Sequence, residues 1–146
     1  MKIETLSQEN QDALAQLMVE LWPYSNFEDE LKDAKRIYSS EGETSFLVKE
    51  GNQHVAFIYL KLRKDWVEGA KELPIAYVEG IYVKPEFQGK SIGKMLIQKA
   101  EMWAKSMGSS QLASDTEFEN TGSINFHSRM GFKEENRVIC FIKDLD

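Results

Sequence analysis

The sequence has a single cysteine, Cys140, so no internal disulfide can form. A chain without disulfides suits a reducing compartment, and the cytoplasm is the expected location. No run of about 18 apolar residues occurs, so no membrane-spanning helix and no membrane partner are expected. The opening residues, MKIETLSQEN, lack the apolar core of a secretory signal. Internal repeats, low-complexity tracts and linkers are missing. Histidine, cysteine and carboxylates show no metal-ligand spacing, so no metal is expected. Basic residues are outnumbered 18 to 24, for a formal net charge of -6. Nucleic acid is usually met by a basic face, so this balance argues against it as a partner. The same charge keeps a protein soluble, and it would also draw a cationic small molecule to an acidic cleft. What remains is ordinary: 146 residues, 42% hydrophobic and 29% charged, expected to fold as one domain over residues 1–146.

KIETL alternates polar and apolar residues and suits a first strand. Ser7 is placed to cap a helix that carries Leu14, Leu17, Met18 and Leu21 inward, and Pro23 ends it. Asn26 is placed to cap a second helix, with Phe27, Leu31, Ala34 and either Ile37 or Tyr38 inside. SFLVKE and HVAFIYLKLRK flank Gly51 and Asn52 and predict a β-hairpin. DWVEGAKEL reads as a loop or a broken strand end. IAYVEGIYV is the next strand, and its near-continuous apolar run predicts a central position. Gly80 inside it predicts a bulge or a close approach by another backbone. Residues 91–107 predict a helix with Leu96, Ala100, Trp103, Ala104 and Met107 inward, closed by Gly108. SQLASD is a short strand. Asn120 or Thr121 starts another helix, and Gly131 ends it. RVICFIK predicts a final strand that buries Cys140. The order predicts a mixed α+β fold, antiparallel in its first half and βαβ in its second.

The most informative stretch joins the strand IAYVEGIYV to the helix after it. Pro85 lacks an N–H and stops the ladder after Val83. QGKSIGK then enters the helix and does not complete a GxxxxGK[ST] phosphate loop. The first N–H groups of a helix have no partners within it, and the dipole makes that end positive. Gly89, Ser91 and Gly93 leave room for a ligand, and Lys90 and Lys94 add charge. An irregular strand end at Gly80 would offer unpaired backbone groups to an extended amide chain. A pyrophosphate joined to an amide chain describes coenzyme A. The plain alternative is a glycine-bearing turn before a helix.

Gln88-Gly89-Lys90-Ser91-Ile92-Gly93 resembles the acetyl-CoA signature of the GNAT superfamily, Gln/Arg-x-x-Gly-x-Gly/Ala. Ser91 stands where that family usually has its first glycine. NTGSINFHSRMGF, residues 120–132, resembles the second GNAT signature. ELW, VEGIYV, AEMWAK, ASD and HSRMGF together resemble the aminoglycoside 6′-N-acetyltransferases. The resemblance implies a mainly antiparallel mixed sheet flanked by helices and splayed at an acetyl-CoA site. It implies acetyl transfer from acetyl-CoA to the 6′-amine of an aminoglycoside, by direct attack in a ternary complex, conferring resistance. It also implies a homodimer. Backbone groups of Ile81, Tyr82 and Val83 would align the pantetheine arm, one N–H polarising the thioester oxygen. Gln88, Gly89, Lys90, Ser91, Ile92, Gly93 and Lys94 would hold the pyrophosphate. Asn120 would bond the pantetheine arm, cap its helix, or do both.

On the acceptor side, Glu79 is a carboxylate in an otherwise apolar strand, where an unpaired charge is costly. It could hold a cationic amine and take its proton, or it could be an ion-pair partner. His127 occupies the place where many GNAT enzymes carry a tyrosine acid. It could protonate the departing thiolate, or be a plain helix residue. Asp115, by resemblance, binds a substrate amino group. Trp22 and Trp66 offer flat faces to an aminosugar. Trp22 fits the core equally well, whereas Trp66 lies in a polar loop. Related enzymes carry an acidic residue after the Gly-Phe pair, and here Asn136 is the candidate beside Glu134 and Glu135. Two other functions remain open to the sequence: acetylation of a polyamine or other cationic amine, and a non-catalytic acetyl-CoA-binding module.

Overall fold

The computed structural model describes residues 1–146. The chain divides into two compact units, Met1–Asp115 and Thr116–Asp146. The first runs β1 (Lys2–Thr5), α1 (Gln11–Leu21), α2 (Phe27–Ser39), β2 (Glu43–Glu50), β3 (Gln53–Arg63), β4 (Ile75–Val83), a 3-10 turn (Pro85–Phe87), α3 (Ile92–Ser106) and β5 (Leu112–Ser114). The second holds α4 (Thr121–Arg129). The sheet order is β1-β2-β3-β4-β5. The first four strands are antiparallel, and α3 crosses over to bring β5 parallel to β4. This is the expected mixed fold.

Residues 55–60 of β3 are buried without a break, as befits a strand covered on both faces. Leu14, Leu17 and Met18 of α1 join Ala34 and Ile37 of α2 against Leu47, Phe57 and Tyr59. Lys99 of α3 lies over the ring of Phe46, the neighbour of Leu47. Adjacent strand residues point to opposite faces, so α3 covers the other side of the sheet.

Some expectations are corrected. Asn10, not Ser7, stands at the start of α1. The Asn10 amide accepts from the Ser7 N–H at 2.8 Å and donates to Thr5 O at 3.1 Å, so the chain turns once more before the helix begins. Asn26 does cap α2, accepting from the Asp29 N–H at 2.9 Å. Phe27 and Tyr38 are exposed, because Glu30, Ala34 and Ile37 mark the inner face of α2. Met107 is exposed beyond the end of α3, and Trp103 is only half-buried. RVICFIK forms no strand: Val138, Ile139, Phe141 and Ile142 are exposed, and Cys140 with them. An apolar extended segment becomes a strand only against a partner edge, and the sheet of this chain ends at β5.

β4 carries the irregularity expected near Gly80. Tyr59 faces Gly80 and Leu60 faces Val78, so Glu79 has no residue opposite it. Glu79 is the extra residue of a β-bulge. Phe57, Tyr59, Lys61 and Arg63 share one face of β3, opposite Tyr82, Gly80, Tyr77 and Ile75. Odd residues before the bulge and even residues after it therefore share the α1 side of the sheet.

Candidate active site

The bulge sits beneath a tryptophan. A Cβ at Gly80 would lie 2.8 Å from both Cζ2 and Cη2 of Trp22, and 3.3 Å from Leu21 Cδ2. Only a glycine lets the indole approach the β4 backbone this closely. Trp22 is fixed at the end of α1 by its N–H to Met18 O, at 2.8 Å, and its ring meets Phe57 edge-on at 6.2 Å. It is half-buried, packed on one side against the core cluster and on another over Gly80. The predicted close approach is thus made by a side-chain ring rather than by backbone. Further along, the Tyr82 hydroxyl donates to Glu20 at 2.9 Å. Its pKa is pushed up to about 12 by burial and by that acceptor.

Glu79 is an ion-pair partner in this structure. Arg63 Nε donates to its Oε2 at 2.6 Å and Nη2 to its Oε1 at 2.9 Å, a two-pronged contact. The guanidinium carbon lies 3.5 Å from the centroid of the Tyr77 ring. The Tyr77 hydroxyl in turn makes a short hydrogen bond to Asp115 Oδ2. Glu79 and Asp115 are thereby linked through Arg63 and Tyr77. The bond to Glu79 raises the Arg63 pKa, against the opposing effect of burial. Burial first, and Asp115 second, hold the Tyr77 hydroxyl well above the ordinary tyrosine range. Sequence reasoning found Glu79 and Asp115 but missed Arg63 and Tyr77. The alternation of β3, Phe57 to Tyr59 to Lys61 to Arg63, was the available signal. Trp66 is 75% exposed in the loop after β3, as a residue outside the core should be.

The strand-to-helix turn has the expected character. Gln88 Nε2 donates to Val83 O at 3.0 Å and ties the end of β4 to the turn. Gly89 has φ +79° and Ser91 φ 64°, two left-handed residues around Lys90. Such a sequence of conformations gathers successive N–H groups into a concave donor set. The first backbone bond of α3 runs from Met95 N–H to Ser91 O at 3.1 Å, and no acceptor in the chain meets the N–H groups of residues 89–94. Nothing lies within 4 Å of a Cβ placed at Gly89, so the backbone there stands open. Lys90 Nζ lies 5.1 Å from the Phe87 ring centroid. β5 pairs with β4 only at Ala76, Tyr77 and Val78. From Gly80 onward, including Ile81, Tyr82 and Val83, β4 is paired on its β3 side alone.

In the second unit, Asn120 Oδ1 accepts from the Ser123 N–H at 3.0 Å, so it caps α4. His127 Nδ1 lies 2.8 Å from Ser123 O. A carbonyl only accepts, so Nδ1 carries the proton. The His127 ring meets Phe132 at 5.1 Å and Phe126 at 5.9 Å, both edge-on. Asn136 is exposed and accepts from the Arg137 N–H at 2.8 Å.

Residues 11–132 match the Acetyltransferase (GNAT) family. An aminoglycoside N(6′)-acetyltransferase type 1 from Serratia marcescens is 36% identical over 138 residues, 94% of each chain. An enzyme of the same name from Salmonella typhimurium is 32% identical over 143 residues, 98% of this chain and 99% of its own. The apo crystal structure of an aminoglycoside 6′-N-acetyltransferase from Acinetobacter haemolyticus matches with a TM-score of 0.91 at 28% identity, covering 100% of both chains. The structure of AAC(6′)-Iy with the bisubstrate analogue CoA-S-monomethyl-acetylneamine matches with a TM-score of 0.93 at 30% identity, covering 99% of this chain and 98% of that one. With the signature turn, the splayed β4 and these likenesses together, the chain belongs to the GNAT family of acetyltransferases.

Proposed function

We propose that this chain transfers the acetyl group of acetyl-CoA to the 6′-amino group of aminoglycosides in a ternary complex, and so confers resistance to them. One observation supports the acceptor side: Glu79, set out of the ladder by the bulge, is joined through Arg63 and Tyr77 to Asp115, and its neighbour Gly80 lies under the indole of Trp22. The relatives named for this reaction support the choice of substrate. The turn suits an anionic donor group, because residues 89–94 present backbone N–H groups with no acceptor of their own.

The backbone from Gln88 to Lys94 would hold the pyrophosphate of acetyl-CoA, and Ile81, Tyr82, Val83 and Asn120 its amide arm. When bound, acetyl-CoA supplies a thioester carbonyl open to attack by an amine. An aliphatic amine is mostly protonated at neutral pH, so Glu79 holds the ammonium and accepts its proton. Asp115, oriented by the Tyr77 hydroxyl, receives a second ammonium. Trp22 and Trp66 give the sugar its flat contacts, and Asn136 an amide contact. A backbone N–H on the open edge of β4 faces the developing oxyanion. His127, its Nδ1 proton held by Ser123 O, can give a proton to the thiolate from Nε2 only as the imidazolium.

In the same proposal both units belong to one acetyltransferase domain, supported by a family match that runs across residue 115. The reaction is placed in the cytoplasm. The exposed apolar residues 138–142 support a homodimer in which this segment pairs with a second copy. Sedimentation should show a dimer that dissociates in an Ile139→Asp/Phe141→Asp variant; a monomeric parent chain would remove the dimer proposal.

The activity is tested by thiol release from acetyl-CoA with kanamycin, its 6′-hydroxyl analogue and spermidine. Turnover of kanamycin alone is expected. Turnover of the analogue as well would move the acceptor position, and turnover of spermidine alone would overturn the substrate.

A further inference from the structure

A site built to receive a cationic amine already contains a cation of its own. The Arg63 guanidinium takes both oxygens of Glu79, at 2.6 and 2.9 Å, while its other face lies 3.5 Å from the Tyr77 ring centroid. An arriving ammonium directed at Glu79 therefore meets a carboxylate whose charge is already paired and each of whose oxygens already accepts one hydrogen bond.

The two partners are not equally free to leave. Arg63 is the last residue of β3, on a four-bond stem, and its side chain is 36% exposed against 18% for Glu79. Glu79 is held by the bulge, whereas the guanidinium can rotate outward into water. A guanidinium is also more weakly hydrated than an ammonium, and its fork matches a carboxylate better than a point charge does. A single amine would compete poorly with it. A ligand that brings several ammonium groups, and so also engages Asp115, would compete well.

We propose that Arg63 is a tethered competitor for the acceptor amine, a specificity-determining residue that occupies Glu79 in the free enzyme and yields it to a polycationic substrate. This rests on Glu79 being the carboxylate that receives the amine. Arg63 thus sets the affinity for the acceptor without taking part in the chemistry. It also keeps the half-buried Glu79 charge compensated between turnovers, when an unpaired carboxylate there would be costly.

The test is a double-mutant cycle with Arg63→Met, which keeps the stem and removes the charge, and Glu79→Gln. Steady-state kinetics, calorimetric binding of kanamycin and thermal melts are read for each variant. Arg63→Met should lower KM and Kd for kanamycin by roughly three- to fivefold, the upper worth of a partly exposed ion pair, and leave kcat and coenzyme A affinity in place. The melting temperature of the free Arg63→Met enzyme should fall, while the increment that kanamycin adds to it should grow. In the Glu79→Gln background Arg63→Met should change kanamycin binding by less than about twofold. Arg63→Lys should fall between the parent and Arg63→Met, and it serves as the measured variant if the methionine does not fold. A raised or unchanged KM in Arg63→Met would overturn the competitor role and make Arg63 a support for Glu79. An equal gain in both backgrounds would overturn it too, leaving only a general charge effect. If Glu79→Gln by itself left kcat/KM for kanamycin unaltered, the assignment of Glu79 would fail first, and that result is distinct from the others.

Discussion

Replacing Gly80 with alanine tests whether the indole of Trp22 is what requires a glycine in the bulge. The added Cβ would sit 2.8 Å from two indole carbons, closer than any stable contact, and 3.3 Å from Leu21 Cδ2. The leucine methyl can give by a few tenths of an ångström. The indole is less free, since Phe57 packs edge-on against it and Met18 O holds its backbone. Overpacking of this kind costs about 1–3 kcal/mol. The φ of Gly80 is not left-handed, so alanine recovers about 0.4–1 kcal/mol from the smaller entropy of the unfolded chain. The net loss is about 1–2 kcal/mol, or a Tm lower by roughly 3–6 °C for a chain of this size. Thermal and urea melts of Gly80→Ala should show it. In a Trp22→Phe background the two clashing carbons are gone, and Gly80→Ala should then cost less than about 0.5 kcal/mol. An equal penalty in both backgrounds, or none in the parent, would refute the assignment of Gly80 to the indole contact.

Two further predictions address stability and the donor site. Glu30 is buried, one of its carboxylate oxygens has no partner, and burial first, then Asp33 and Asp29, hold its pKa above the usual range. A carboxyl raised on folding contributes stability below its unfolded pKa of 4.5 and loses it as pH climbs through the folded value. Glu30→Gln should therefore raise Tm at pH 7 by about 2–4 °C, for about 1 kcal/mol, and bring no gain at pH 4; destabilisation at pH 7 would contradict this. At the turn, Gly89→Val puts a β-branched residue at φ +79° in open space, so the fold should survive while the donor set is distorted. Coenzyme A affinity by calorimetry should fall about tenfold or more, and unaltered affinity would remove these N–H groups from the donor site.

The elements that were legible in the sequence are those whose cause is local. Gly51 and Asn52 mark the β2–β3 turn, Asn26 caps its own helix, and the open turn at Gly89 and Ser91 follows from a strand stop, small residues and a helix start. Glu79 stood out because a carboxylate among apolar residues needs a partner. The partner itself was hidden, because Arg63 reaches Glu79 only through the register of β3 on β4 and the bulge that shifts it. Ser7 misled for a local reason: Asn10 competes for the same turn and bonds back to Ser7. RVICFIK misled for a global one. Its composition is that of a strand, but a strand also needs an edge to pair with, and the pattern of one chain does not say which edge that is.

Glu79 is supernumerary to the sheet. Without it, Val78 and Gly80 would still face Leu60 and Tyr59, and every other side chain of β4 would keep its side. The two regular rows of the strand are committed to packing: Val78 is buried, and Tyr82 packs against the α1 and α2 cluster. The bulge adds a position that belongs to neither row. A side chain placed there can be exchanged without repacking the interior, so the proposed acceptor site is free to change while the fold that carries it stays as it is.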